Sequence, residues 1–435
     1  MPRKPYEWRM GAKPPAIEPH SCAKHAILDR YVERYIRVLC ALPHRESIHL
    51  TLVDGFAGGG LYWDPIEQCL HEGSPIIMLE AAERAERLVN EHRVVQGQRT
   101  PLKVNTEFFF VDVDARSVEF LRDTLARSPH ARRVGRDVHV LNGRFEKHVD
   151  QIISRVLKSS RARRAFFLLD QYGYRDVPLP LMKRILDRLR NAEILVTFAV
   201  DTLTQYLSEE SADVYRKTFE QVGLTEFVDL DGTLEERATN PAWRWLIQSQ
   251  LAGAFRSGSG AAFMTPFFNV SETSHRAYWL VHLCRNQRAN VEMKALHWEF
   301  ANHFRHYGRP GLDMLGYDPT RDDDLVGQIR LGFDFDEPAR ARSIERLREQ
   351  LPARLDREAH TYDALYQAIT NETPAADAMI REVLGELMLN GAVEVKSSDS
   401  GYRRSAQRIK STDLIALPPQ RAFFFFNSQW RTPSQ

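Results

Sequence analysis

The stretch that most constrains the fold is IHLTLVDGFAGGGLYW, residues 48–63. Ile48, Leu50, Leu52 and Val53 make an apolar, partly β-branched run that ends on an acid and breaks into glycines. That is the pattern of a buried parallel strand whose C-terminal turn faces a ligand. The glycine spacing narrows the ligand. Gly55, Gly58, Gly59 and Gly60 do not make G-x-G-x-x-G, which aims a helix N-terminus at a pyrophosphate. Nor is there a G-x-x-x-x-G-K-[ST] phosphate loop at this position. A tight strand-to-helix turn holding no ligand is the other reading of these glycines.

The rest of the first 300 residues repeats the strand-then-turn theme. Residues 107–111 (EFFFV) read as a second strand ending in Asp112-Val-Asp114. An acid closing that strand is placed to take the two ribose hydroxyls of a nucleoside, which favours Asp112; Asp114 reads as a helix cap. Residues 137–141 (DVHVL) lead into Asn142-Gly143-Arg144-Phe145, and residues 165–169 (AFFLL) into Asp170-Gln171-Tyr172-Gly173. Residues 193–200 (EILVTFAV) are a fifth strand, with helical patterns between the strands and a helix opened by Ser21 ahead of them. Such alternation predicts one α/β domain over residues 21–308, with a mostly parallel sheet and helices on both faces. Residues 261–269 and 277–284 read as an antiparallel pair closing the sheet, after a helical insertion at about 201–255. Gly73-Ser74-Pro75 starts the helix after the glycine loop, so residues 61–72 form a flap whose Tyr62 and Trp63 cover a cofactor or staple the flap to the core. Residues 1–20 read as an irregular arm, and Lys24-His25 as a surface or packing pair.

Composition excludes more than it assigns. The chain has 435 residues, 43% hydrophobic and 27% charged, with a net charge of +1. Any case for nucleic acid must therefore be local. Cys22, Cys40, Cys69 and Cys284 form no C-x-x-C pair, so neither a disulfide framework nor a metal site is expected. No apolar run reaches the ~20 residues of a bilayer span, and the basic, Pro-rich start lacks a secretory apolar core. No membrane partner and a cytoplasmic location are expected.

Residues 309–338, with Asp322-Asp323-Asp324, read as a solvated linker. Residues 339–435 read as three helices and a β-hairpin, with strands at 392–396 and 402–410. That is the winged-helix order. The hairpin carries Arg403, Arg404, Arg408 and Lys410, a local basic wing suited to DNA or RNA phosphates; winged helices also dock proteins.

Asp54-Gly55-Phe56-Ala57-Gly58-Gly59-Gly60 resembles the acid-x-aromatic-x-Gly-x-Gly first motif of S-adenosylmethionine (AdoMet) methyltransferases. AdoMet has no pyrophosphate, so a carboxylate for its ammonium and backbone that can approach closely suffice. More of the chain resembles the three-Cys-motif partner proteins (TcmP family): Lys24-His25-x-Ile-Leu-x-x-Tyr31, the glycine loop, Gly73-Ser74-Pro75, Asp170-x-Tyr172-Gly173 and the winged-helix-like segment, in order. The resemblance implies a methyltransferase-like Rossmann domain, AdoMet as cofactor and, as a possible partner, a three-Cys-motif protein that looks like a radical AdoMet enzyme. Asp54, Gly55, Phe56, Ala57, Gly58 and Gly60 would hold the methionine end, Asp112 the ribose and Phe145 the adenine. Asp170 would accept hydrogen bonds from an acceptor amine, and Tyr172 would stack on a flipped base. Two departures bear on this. Arg144 stands where an acid is common, and Gln171 replaces the proline that fixes the following carbonyl. No cysteine follows a proline, which disfavours methylation at a base carbon and leaves a base nitrogen. The expectation is an AdoMet-dependent nucleic-acid methyltransferase with an accessory winged helix. The rival is a catalytically inactive methyltransferase-like partner or scaffold. A Mg²⁺ nuclease using Asp112 and Asp170 lacks a third ligand.

Overall fold

The structure is a computed structural model that describes residues 6–42, 44–98, 100–159, 162–200, 207–240, 243–270, 277–300, 305–306, 333–334, 337–355, 358–397 and 401–418. In chain order the first domain runs α1 (Pro19–Leu39), β1 (Ser47–Asp54), β2 (Leu61–Asp64), β3 (Cys69–Glu72), α2 (Ser74–Val95), β4 (Lys103–Asp112) and α3 (Ala115–Ala126). It continues with β5 (Val138–Asn142), α4 (Phe145–Ser159), β6 (Arg164–Leu169), α5 (Leu179–Arg188) and β7 (Asn191–Phe198). Then come α6 (Ala212–Val222), α7 (Leu230–Thr239), α8 (Trp243–Gly258), β8 (Phe263–Val270), β9 (Ala277–Cys284) and α9 (Gln287–Glu299).

Seven strands form one sheet in the order β5-β4-β1-β6-β7-β9-β8. The first five are parallel, and β9 pairs antiparallel with both β7 and β8. From Ile48 onward β1 is almost wholly buried, because both sheet faces are covered. Leu50 and Leu52 pack with Ile27, Tyr31 and Met78 of α1 and α2, while Val53 packs with Val149 and Ile153 of α4. This is the Rossmann-like methyltransferase fold. The chain moves to one side of β1 for β4 and β5 and to the other for β6 and β7. Ligands bind in the crevice beyond the strand ends at such a switch point. Register brings the ends together: Asp54 lies opposite Phe110 and Leu168, and Asp112 opposite Asn142.

Three local readings change. α1 starts at Pro19 rather than Ser21, since proline supplies helical φ where its missing N–H costs nothing. The flap is a hairpin, β2 with β3. Residues 6–18 of the arm are irregular but not loose: Ile17 N–H donates to the Trp63 carbonyl (2.8 Å), and Trp63 N–H to that of Pro15 (3.0 Å).

Short strands β10 (Arg305–His306) and β11 (Phe333–Asp334) pair with each other; residues 309–332, 335 and 336 of the expected linker, with Asp322–Asp324, lie outside the described residues, and 337–338 already belong to the next helix. The second domain has α10 (Glu337–Leu355), β12 (His360–Thr361), α11 (Tyr362–Ile369), α12 (Asp377–Leu389), β13 (Glu394–Lys396) and β14 (Leu414–Ala416). Its strands order β12-β14-β13 over a core of Leu347, Leu351, Tyr366, Ile380 and Leu384. The second wing strand is thus residues 414–416 and not 402–410. Asp413, fully buried, accepts from Arg403 (2.7 and 3.1 Å) and from Lys410 N–H (2.8 Å), folding the intervening residues into a loop.

Polar contacts, most of them buried, join the domains. Lys294 of α9 donates to the Thr370 carbonyl, to Thr370 Oγ1 (2.7 Å) and to the Thr373 carbonyl (2.8 Å). Asn290 Oδ1 accepts from Tyr366 (3.0 Å) and Thr370 (2.8 Å). Met264 N–H of β8 donates to Asn371 Oδ1 (2.9 Å), whose Nδ2 donates to the Ala262 carbonyl (2.9 Å).

Candidate active site

A cleft of about 560 Å³ opens at the ends of β1, β4 and β6, within the ~300–1,000 Å³ usual for small-ligand sites. Of the residues expected to hold a cofactor, Gly55, Phe56, Gly58, Asp112 and Phe145 line it; Asp54, Ala57 and Gly60 do not. Asp54 is fully buried beneath the loop, where Oδ1 accepts Phe56 N–H (3.0 Å) and Oδ2 accepts no hydrogen bond among the described residues. Ala57 is buried, its N–H tied to the Val111 carbonyl (2.9 Å). Gly60 accepts from Gly73 N–H (2.8 Å), anchoring the start of α2.

Asp112 has two tasks. It lines the cleft, yet Oδ2 accepts Gly58 N–H (2.9 Å) and Oδ1 accepts Asp114 N–H (2.8 Å). Each oxygen has a second lone pair for a ligand hydroxyl. Burial raises its carboxyl from the ordinary range, and the two amides pull it back. Asp114 caps α3 by accepting from Arg116 N–H (3.1 Å). Phe145, 3% exposed, opens α4 and presses on Gly55, where an added Cβ would lie 3.2 Å from its ring. Arg144 is exposed on the cleft wall.

The glycines answer to the arm as well. Trp8, 4% exposed, donates from Nε1 to the Leu61 carbonyl (2.7 Å) and lies on Gly58 and Gly59. A Cβ on Gly59 would sit 2.2 Å from Trp8 Cδ1, and one on Gly58 2.7 Å from the ring.

At the end of β6, both Asp170 oxygens take Lys24 Nζ, at 2.6 and 2.5 Å. Burial alone would raise Asp170, but the ammonium holds it below the usual carboxylate range. The Lys24-His25 pair is therefore not a surface pair. Lys24 precedes Ile27, Leu28 and Tyr31 on one helix stripe, and that stripe faces the sheet. Gln171 is 2% exposed; its Oε1 accepts from Asp176 N–H (3.0 Å) and Val177 N–H (3.1 Å), so its side chain shapes the loop in the absence of a proline. Tyr172 is 54% exposed, with its hydroxyl accepting Tyr6 N–H (3.1 Å). Tyr6 in turn stands 5.1 Å from Tyr62 and 5.8 Å from Trp8, ring to ring. The arm, the hairpin and the Asp170 loop so build an aromatic wall at the cleft mouth. In the wing, Arg404, Arg408 and Lys410 are exposed, whereas Arg403 is spent on Asp413 and so leaves the set expected to meet phosphates.

Burial pushes Asp54 up to about 7, against the Ser74 hydroxyl and Phe56 amide that lower it. A carboxyl raised above its unfolded value (about 3.9) favours folding in the protonated form. Its contribution is full below about pH 4 and fades as pH rises through about 7. Asp54→Asn should remove that fade: between about pH 5.5 and 8.5 its urea midpoint falls less than that of the parent chain.

Residues 316–400 match the GMT-like wHTH domain family, so the C-terminal unit is a winged helix-turn-helix domain. A search of curated proteins finds no match. Among solved structures the chain is similar to WbdD, at 12% identity and TM-score 0.27, covering 59% of this chain and 39% of that one. It is also similar to cofactor-bound Rv0187 from MTB (15%, TM-score 0.26, 62% and 92%) and to a putative O-methyltransferase from Klebsiella pneumoniae (13%, TM-score 0.26, 62% and 91%). The chain thus spans well under two thirds of WbdD. At these TM-scores the fold assignment rests on the strand order. No helix of the described residues is long and apolar enough to cross a membrane.

Proposed function

We propose that the chain is an AdoMet-dependent methyltransferase acting on a nucleic-acid base nitrogen, with the winged helix aiding target binding. The observation that carries this reading is one cavity, at the switch point of the sheet, shared by Gly55, Gly58, Asp112 and Phe145 with Asp170 and Tyr172. Bound AdoMet supplies an electrophilic methyl carbon on a sulfonium. The chain's own part is placement. Backbone at Gly55–Gly58 receives the methionine end above buried Asp54, Asp112 accepts ribose hydroxyls, and Phe145 packs on the adenine. Lys24 keeps Asp170 ionised, hence an acceptor for an exocyclic N–H, and the Tyr172–Tyr6 wall offers a stacking surface for a base out of its helix. Exposed Arg404, Arg408 and Lys410 suit a phosphate backbone.

One observation favours the rival, a methyltransferase-like scaffold working with a three-Cys-motif protein or with DNA. The charged cleft groups already have internal partners: Asp112 the loop amides, Asp170 the Lys24 ammonium. Calorimetric titration of AdoMet and S-adenosylhomocysteine into the full chain separates the two. Micromolar binding supports the enzyme, and no heat at high concentration leaves the scaffold. Given binding, label from methyl-tritiated AdoMet should pass to DNA or RNA. Replacing Arg404, Arg408 and Lys410 together by alanine should raise the KM for polynucleotide severalfold and leave AdoMet affinity unchanged.

A further inference from the structure

One donor atom from each of Cys22, Asp64 and His71 lies within 4.8 Å of the others, all three residues being half-buried. Cys22 comes from the first turns of α1, Asp64 from the end of β2 and His71 from β3. Around a tetrahedral zinc the donor atoms stand roughly 3.4–3.8 Å apart, given bond lengths of about 2.0–2.3 Å, so small side-chain rotations close the set.

Two of the three side chains are already oriented. Asp64 Oδ1 accepts Ile66 N–H (2.8 Å) and Glu67 N–H (3.0 Å), which fixes the carboxylate and leaves Oδ2. His71 Nε2 lies 3.1 Å from Nδ1 of His25, which leaves the other His71 ring nitrogen for a metal. His25 is buried, and its Nδ1 is placed to accept the His71 N–H. A ligating histidine commonly gives its second N–H to such an outer partner.

We propose that Cys22, Asp64 and His71 bind Zn²⁺, with water in the fourth position, and that the ion clamps the β2–β3 hairpin to α1. Thiolate, imidazole and carboxylate together select zinc over the hard cations, which prefer all-oxygen sets. Thiolate and carboxylate also neutralise the ion, which suits a half-buried site. A thiol must lose its proton to ligate, so loading the metal releases one. The hairpin carries Tyr62, whose ring stands 5.7 Å from His25 and 5.1 Å from Tyr6. Clamping it therefore fixes the aromatic wall of the cleft. This inference does not rest on the methyltransferase reading.

The test uses the full chain, reduced and stripped with a chelator, titrated with Zn²⁺ against a chromophoric competitor and with Co²⁺ for a near-ultraviolet thiolate-to-cobalt band. One equivalent and the band are expected. Cys22→Ser should abolish the band and weaken zinc by more than about 100-fold, since outer-shell losses alone cost about 10–100-fold. Asp64→Asn, which keeps the acceptor for Ile66 and Glu67, should weaken zinc with no change in unfolding of the metal-free chain. Cys69→Ser, at the exposed cysteine of the same hairpin, should change neither signal. No stoichiometric binding by the parent chain, a band that survives Cys22→Ser, or a loss on Cys69→Ser would each overturn the site.

Discussion

Asp112→Ala is expected to weaken AdoMet and S-adenosylhomocysteine binding at least about 100-fold, with the fold retained. Two effects combine. A hydrogen bond to a charged acceptor contributes about 1.5–3 kcal/mol, and a carboxylate that takes both ribose hydroxyls contributes two. The sum, about 3–6 kcal/mol, corresponds to a factor of about 10²–10⁴. The same carboxylate holds Gly58 N–H and Asp114 N–H, so its loss also frees the glycine loop. Asp112→Asn separates the effects: one oxygen remains an acceptor, while the amide that replaces the other faces an N–H it cannot accept. Its affinity should fall between parent and alanine. Calorimetry reads both variants, and parent-like affinity in Asp112→Ala would remove Asp112 from the ribose.

Gly59→Ala should be the most disruptive single methyl in the loop. The new carbon would lie 2.2 Å from Trp8 Cδ1 and 2.4 Å from Cγ, so the indole must leave. Overpacking of a closed contact costs about 1–3 kcal/mol, here with the arm released. Faster proteolysis of the arm and red-shifted tryptophan emission would report it. In a Trp8→Ala background the methyl enters vacated space, so the penalty should largely vanish and the two changes should be strongly non-additive. An equal penalty in both backgrounds would mean that something other than Trp8 demands the glycine.

The sheet was largely legible because β1, β4 and β6 are each an apolar run closed by an acid: Asp54, Asp112 and Asp170 all fall at strand ends, as their spacing predicts. What stayed hidden depends on contacts far apart in sequence. Trp8 sits in a proline-rich arm with no periodicity, and only the fold sets it on Gly59. Lys24 did carry a signal, a cation on the apolar stripe of α1. Arg403 read as part of a basic wing because its neutralising partner, Asp413, is ten residues on. Cys22, Asp64 and His71 escape any C-x-x-C search, since they meet where a helix crosses a hairpin. Roles within the cleft are harder still, because Asp112 and Asp170 serve the protein's own backbone and lysine before any ligand.

The Asn371 contacts have a consequence for the molecule's solubility. Among the described residues β8 has β9 as its strand partner, so its outer side is a sheet edge, the kind of surface on which further strands add. Pro266, in mid-strand, offers no N–H there, and Asn371 occupies the Met264 amide and the Ala262 carbonyl just before it. The winged helix thus acts as a stopper. A chain truncated ahead of residue 337 would uncover that edge together with Lys294, and would be prone to self-association whatever its affinity for a cofactor.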